Sequence, residues 1–478
     1  MEQKNKKKIS TQTIIKLLLA VVLLGLSAFL LKGDVWTFWT WWLLAGVMGF
    51  AAMPVTGRLF WRFEDKGWIF SKVLAIAATG FLTWFLTAIR LIPFNALTCA
   101  AVTILCAVIC FFLLRKESKE KTECFPVDRI SLIYWEELLF FLAFLMWTYL
   151  AGFRPAAYGT EKFMDYGFME AMMRSTTLPA RDLWYSEGHI NYYYGGQYFA
   201  VFLTKLSHTK VELTYNLMRT FVAGLAFAMP FSLVYQMMSD RMKGQQKSEK
   251  VIKGLPFAAG FTAGTAVSIT GNMHYVIYAQ IIPLIEKLTG KEVSSYWFPD
   301  ATRYIGYNPY REEDRTIHEF PCYSFVLGDL HAHVVNIMFV LLVIAFLYVW
   351  LRGVRKKTVP VETSMKDGKF WKEQLLMPHL LVISALLGMF QWTNFWDFVI
   401  YYVVTLGTVL FANIIRFQGK IKKIMVVTFA QMAEIYLLAY LVILPFTLQF
   451  DTMVDGIGIA KYHSYFYQLL VLWGLPTV

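Results

Sequence analysis

Charge is what this sequence has least of. Only 16% of its 478 residues are Asp, Glu, Lys or Arg, while 57% are hydrophobic and 17% aromatic. A soluble domain carries about 25% charged and about 45–50% apolar residues, so this balance excludes an ordinary soluble globular chain. Cysteine is scarce as well: Cys99, Cys106, Cys110, Cys124 and Cys322. The first three share one apolar run and read as small packing residues. Only Cys322 falls in a predicted outer loop, and a thiol without a partner argues against a disulfide framework. An internal repeat is also missing, which withdraws support from an inverted-repeat transporter. The N-terminal MEQKNKKKIS followed by Ile14 to Leu31 imitates a signal peptide. Its apolar run is too long and lacks a small-residue cleavage site, so it reads as a retained first span. The net charge of +12 is not arranged as a basic stripe interleaved with stacking aromatics, which argues against nucleic acid as a partner.

What is present is a series of apolar runs near ~20 residues, the length of helix that crosses a bilayer. Within lipid each backbone polar group must be paired inside its own segment, so such spans are helices. The sequence therefore predicts an all-α, polytopic membrane protein of about twelve transmembrane helices. The charged linker from Arg115 to Glu123 marks a boundary between an N-terminal four-helix transmembrane unit (1–125) and a transmembrane core (126–478). Two long polar segments, 152–209 and 272–332, interrupt the core. Tyr198 to Leu206 is apolar but too short to span, and fits an interfacial or re-entrant helix. With the N-terminal lysines inside, the loops near Arg62, Lys116, Lys243, Arg355 and Lys422 also fall inside and are basic, as the positive-inside rule requires. Both polar segments then lie on the extracytoplasmic face of a multi-pass plasma-membrane protein, in contact with membrane lipids.

The first polar segment holds EKFMDYGFMEAMMR, Glu161 to Arg174. On a helix Glu170 and Arg174 face each other at i,i+4 and read as a structural pair. Asp165 has no such partner, and a partly desolvated carboxylate there suits a general base acting on an incoming hydroxyl. INYYYGGQYF follows at Ile190 to Phe199. Tyr192, Tyr193 and Tyr194 cannot share one helical face; they read either as an interfacial aromatic belt or as stacking surfaces for a sugar ring or a lipid. Gly195 and Gly196 would permit a sharp turn into the next helix.

The second polar segment ends in IHEFPCYSFVLGDLHAHVVN, Ile317 to Asn336. Asp329, His331 and His333 form D-x-H-x-H, and in an extended segment all three line one face. They then either hold a divalent metal or form a hydrogen-bonded cluster capping the next span. Such ligands suit Zn²⁺, Mn²⁺ or Fe²⁺ better than Mg²⁺ or Ca²⁺. Upstream, Trp297 and Arg303 belong to a stretch of arginines and aromatics that suits a phospholipid-linked sugar, since arginine binds phosphate with paired hydrogen bonds. Asn394 and Asp397 fall at the outer end of a predicted helical hairpin, as cavity residues or as caps.

These stretches resemble the hydrophobic YYY-domain membrane proteins of Chloroflexi-like bacteria and archaea. The match rests on EKFMDYGFMEAMMRSTTLP, NYYYGG, WFPDATR, EFPCYSFVLGDLHAHV and QWTNFWDF, across roughly Ile130 to Asp397. It departs at Ala332, where proline is expected, and at Cys322, where an aromatic is expected. The family in turn resembles a branch of the GT-C membrane glycosyltransferases, whose first outer loop carries an acidic residue, then an arginine, then juxtamembrane helices. Asp165, Arg174 and Tyr198 to Leu206 stand in those positions. The resemblance implies a GT-C-like core whose two outer loops carry amphipathic helices. It also implies a polyprenyl-phosphate-linked sugar as donor and a glycan, lipid or protein acceptor. Asp165 is then the catalytic residue, with Arg174, the three tyrosines, Trp297, Arg303, Glu319 and Asn394 at the substrate. The rival functions are a lipid or glycolipid flippase and a non-catalytic scaffold for envelope assembly.

Overall fold

The computed structural model describes residues 11–120, 124–243, 249–355, 365–452, 456 and 458–477. Parts of the basic loops and the N-terminal lysines lie outside these residues, as does the end of the charged linker at 121–123. The chain is helical, and no strand occurs among the described residues. The spans follow in order: α1 (Thr11–Leu31), α2 (Val35–Leu59), α3 (Trp68–Ala88), α4 (Ala96–Glu120) and α5 (Ile130–Ala151). The first polar segment contributes α6 (Lys162–Arg174) and α7 (Gly195–Ser207) before α8 (Val211–Met242) and α9 (Glu249–Ser268). The second contributes α10 (Met273–Tyr275), α11 (Ile282–Leu288) and α12 (Pro321–Leu327) before α13 (Ala332–Val354). The remainder is α14 (Gly368–Leu375), α15 (Pro378–Thr393), α16 (Phe395–Phe417), α17 (Ile421–Val442), α18 (Leu444–Thr447) and α19 (Phe466–Thr477).

Among the described residues, eight helical stretches are long and apolar enough to cross a membrane, or nine if α14 and α15, bent by 52°, are one span. The sequence predicts about twelve, and the difference has identifiable sources. Thr11–Leu59 is one stretch by length and composition, yet it turns sharply at Lys32, where φ is 51°. Across that turn Trp39 Nε1 donates to Ser27 Oγ at 3.0 Å; a straight helix would hold these residues roughly 18 Å apart. At the other end of the chain, α19 is only 12 residues long.

The expected short helix is present as α7, but it does not lie on a surface. Every residue from Gly195 to Lys205 is buried. Phe199 packs on Phe339 of α13 with ring centroids 4.7 Å apart. Tyr198 donates its hydroxyl to the Gly80 carbonyl of α3 at 2.8 Å, and Thr204 donates to Thr214 of α8 at 2.7 Å. A largely apolar helix whose polar side chains bond to neighbouring helices belongs inside a bundle, and α7 is the inserted piece around which α3, α6, α8, α13 and α15 gather. One continuous cluster of buried apolar residues runs through these helices, from Leu23 to Phe446.

Gly195 and Gly196 do not make the turn expected of them; neither has positive φ. They allow close approach instead. A Cβ on Gly195 would lie 2.7 Å from Thr393 and 2.9 Å from Trp392, and one on Gly196 would lie 3.2 Å from Val335. Small residues at such crossings let helices meet where lipid offers no hydrophobic drive between them. Gly195→Val is therefore expected to overpack the α7–α15 crossing by about 1–3 kcal/mol. Thermal unfolding in detergent should show a lowered midpoint, and an unchanged midpoint would refute this packing.

Candidate functional site

Asp165 sits in the first turn of α6, at the head of the face that also buries Phe168, Met169 and Met172. That i, i+3, i+4, i+7 spacing is an apolar helical stripe, and the stripe carries the carboxylate inward until its exposure is 0%. Gln197, in the first turn of α7, donates from Nε2 to Asp165 Oδ1 at 2.7 Å and to the Leu330 carbonyl at 3.0 Å. At the far end of the same two helices, Lys205 Nζ donates to the Met173 carbonyl at 2.9 Å. The two contacts lie the same number of residues apart on both helices, so α6 and α7 run parallel and are pinned at both ends. Their N-termini both point at Asp165, where the helix dipoles favour negative charge. Burial outweighs the nearby His331 and the Gln197 hydrogen bond, and pushes the Asp165 carboxyl up to about 7.

The second polar segment closes over this carboxylate. Phe320 leads into the short α12, and Gly328, at φ 92°, turns the chain back. Asp329 is buried beyond that turn and its Oδ1 accepts from Thr160 Oγ1 at 2.6 Å. His331 is the N-cap of α13. Its Nε2 lies 3.0 Å from Glu161 Oε2 and 3.8 Å from Asp165 Oδ2. His333 Nε2 lies 3.2 Å from Glu319 Oε2, and Ser324 Oγ donates to the same Glu319 oxygen at 2.8 Å. Among the described residues, Glu319, His331 and His333 form a group that can hold a metal, each with one ligand atom within 4.8 Å of the others'.

This differs from the triad expected from spacing. Asp329 is not in the group: its carboxylate is taken by Thr160, and α13 begins at Ala332, so the chain is not extended through to His333. Glu319, fourteen residues before His333, takes its place. The interval between them is the short helix α12 and the turn after it, which D-x-H-x-H spacing does not reveal.

The other expected residues separate into two sets. Arg174 is exposed and pairs with Glu170 at 3.5 Å, while Tyr166 donates to Glu170 at 2.8 Å; this is the structural pair that i,i+4 spacing predicts. The tyrosines diverge, as adjacent residues must. Tyr194 is buried and accepts from Trp84 Nε1 at 3.0 Å. Tyr193 packs on Phe450 at 5.3 Å between centroids, and Tyr192 on Phe168 at 5.7 Å. Arg303 lies 5.8 Å from the centre of the exposed Trp297 ring and donates to Tyr323 at 3.4 Å. Asn394 is the N-cap of α16 with no side-chain capping bond. Its amide donates to Asp397 Oδ2 at 2.8 Å, beside the Asn336 amide, which reaches the same oxygen at 2.6 Å.

Sequence reasoning missed Gln197 and Arg219, and it grouped Glu161 with Asp165 without giving it a role. Gln197 is the one uncharged amide in the fully buried part of α7, which is a signal in itself. Arg219 interrupts an apolar span. It is buried, donates to the Phe325 carbonyl at 2.5 Å and to Asn216 at 2.9 Å, and so fixes the end of α12. A cavity of ≈350 Å³ adjoins the cluster between the end of α9, residues 318–321 and α19, lined among others by Val267, Asn272, His318, Glu319, Phe320 and Trp473.

Fold and site together define a polytopic helical membrane protein with a buried carboxylate and a histidine–glutamate cluster where its two long polar segments meet. More particularly, the chain belongs to the family described as uncharacterized membrane protein (DUF2298), which it matches over residues 78–478. No curated protein and no solved structure matches it.

The Asp165–Gln197 contact generates a direct test. Gln197→Leu leaves Asp165 Oδ1 and the Leu330 carbonyl without their donor and is expected to cost about 1–3 kcal/mol. Scanning calorimetry or fluorimetry of the detergent-solubilised protein would register a lower midpoint. A Gln197→Leu protein as stable as wild type would show that the bond contributes nothing.

Proposed function

We propose that the protein is a membrane glycosyltransferase of the GT-C type, moving a sugar from a polyprenyl-phosphate donor to an acceptor on the extracytoplasmic side. The observation that carries this reading is Asp165. It is a carboxylate shut away from water at the N-termini of two parallel helices, and its Oδ2 accepts no hydrogen bond. In single displacement the acceptor hydroxyl oxygen bonds to the anomeric carbon, the bond from that carbon to the phosphate oxygen breaks, and the lipid phosphate departs. The hydroxyl proton goes to Asp165 Oδ2. Because the carboxylate is closed off, an acceptor reaches it only when the groups covering it shift. A site that closes around its reactants also strengthens electrostatics and keeps water from competing for the sugar.

Three further features support the reading. The apolar cavity beside Glu319 suits part of a lipid chain with its polar head toward the cluster. Arg303 beside Trp297 suits phosphate and a sugar face. The resemblance of residues 130–397 to the YYY-domain proteins, and through them to GT-C enzymes, adds an analogy of family, which does not by itself fix a reaction. Arg174 carries less of this proposal than the resemblance implies, since Glu170 holds its guanidinium.

Asp165→Asn is expected to insert and fold normally while sugar transfer falls by about 10²–10⁴-fold, the usual contribution of a positioned base. Consumption of a labelled polyprenyl-phosphate sugar by membranes containing the protein measures this. Wild-type turnover in the variant would remove Asp165 from the mechanism. Lipid movement without donor consumption would mark a flippase instead. The side is tested separately, by cysteine substitution in a background without the native cysteines. A cysteine at the exposed Tyr185 should react with an impermeant maleimide in intact cells, and one at the exposed Ile421 only after permeabilisation. The reverse pattern would put the site in the cytoplasm.

A further inference from the structure

We infer that Glu319, His331 and His333 are the protein ligands of a divalent metal centre, for which Zn²⁺, Mn²⁺ or Fe²⁺ is the fitting ion. Two imidazoles and one carboxylate are a set these ions accept while keeping positions open for other ligands. Around a tetrahedral zinc, ligand atoms at ~2.0–2.2 Å from the ion lie roughly 3.3–3.5 Å from one another. Glu319 and His333 come close to that spacing at 3.2 Å. All three ligand atoms fall within 4.8 Å of one another, so small side-chain rotations bring His331 into range.

The surroundings are those of a metal site as well. Ser324 fixes one Glu319 oxygen at 2.8 Å. His331 Nε2 is buried and lies 3.0 Å from Glu161 Oε2 without the alignment of a hydrogen bond, with Asp165 Oδ2 behind it at 3.8 Å. Carboxylates placed behind a ligating imidazole orient it and raise its basicity. Without an ion, two histidines and three carboxylates share a small volume. An ion gives the cluster a centre. Glu319 also lines the ≈350 Å³ cavity, so one ligand of the centre borders a compartment that an anionic headgroup can enter. Only that last point rests on the transferase reading; ion binding itself does not.

The test uses full-length protein in detergent, stripped with EDTA, reloaded with Zn²⁺, Mn²⁺ or Co²⁺ and freed of loose ion by gel filtration. Elemental analysis should find about one ion per chain in wild type, and at least a ~10-fold weaker retention in Glu319→Gln and His333→Ala. Asp329→Asn should keep the ion, which separates this ligand set from the one that spacing predicts. Variants are scored only where they elute as wild type. The visible absorption of Co²⁺-loaded wild-type protein reports the coordination independently of any variant. Wild type that retains no ion, or an ion lost in Asp329→Asn but kept in Glu319→Gln, would overturn the proposal. An ion bound equally by wild type and Asp165→Asn, with no sugar transferred by either, would leave this centre standing and remove the transferase reading.

Discussion

A carboxylate held inside an apolar bundle by one side-chain amide is the constraint on which this architecture turns. Burying Asp165 is costly unless it is hydrogen-bonded or protonated. Both remedies are at work: Gln197 supplies the bond, and burial raises the proton affinity. Because Gln197 also donates to the Leu330 carbonyl, one amide ties together α6, α7 and the segment leading into α13. Three parts of the chain far apart in sequence are thereby held in one place. Lys205 repeats the device at the opposite end, where its ammonium closes the last carbonyls of α6, the end of a helix that favours a cation.

Most of the helical architecture was legible because lipid leaves so little choice. Runs of ~20 apolar residues must be helices, and α3, α5, α8, α13, α16 and α17 lie where the runs predict. Length by itself left α7 open: Tyr198 to Leu206 is too short to span, which suits an interfacial or a re-entrant piece, and the burial of α7 sets aside the interfacial one. The sequence does carry that information in another form. Glycine, tyrosine, phenylalanine, valine and leucine occupy most of α7, and its few polar residues, among them Gln197, Thr204 and Lys205, each find a partner inside the bundle.

The site was legible residue by residue and less so as an assembly. Asp165 and the two histidines could be singled out because titratable groups beside apolar runs are costly without a role. The Glu170–Arg174 pair followed from helical spacing alone. The ligand group did not follow from spacing, since D-x-H-x-H selects a common face only if the chain is extended there. The start of α13 at Ala332 breaks that condition. Glu319 enters because α12 doubles the chain back, a long-range fact that no short motif contains. The arginines of the second segment show the same limit of local reading. Arg311 packs 5.4 Å from the Tyr462 ring centre and Arg315 4.7 Å from that of Tyr310, so both are used in packing the loop rather than left free for phosphate.

The two polar segments thus depend on each other. Asp165 comes from the first, and the groups that cover it, His331 and the Leu330 carbonyl, come from the second. Each segment completes bonds of the other: without Gln197 the Leu330 carbonyl loses a donor, and without Thr160 the buried Asp329 carboxylate loses one. The network is only partly satisfied, since Asp165 Oδ2, Gln197 Oε1 and His331 Nε2 have no hydrogen-bond partner, and each bond that remains in such a network matters the more. Displacing one loop therefore exposes or strands groups on the other, which couples access to Asp165 to movement of the histidine cluster. On the proposed reading, a substrate that opens the site must replace those bonds with its own. Groups able to do so carry several hydrogen-bonding oxygens, as sugars and phosphates do, whereas a plain hydrocarbon would leave the stranded donors and acceptors without partners.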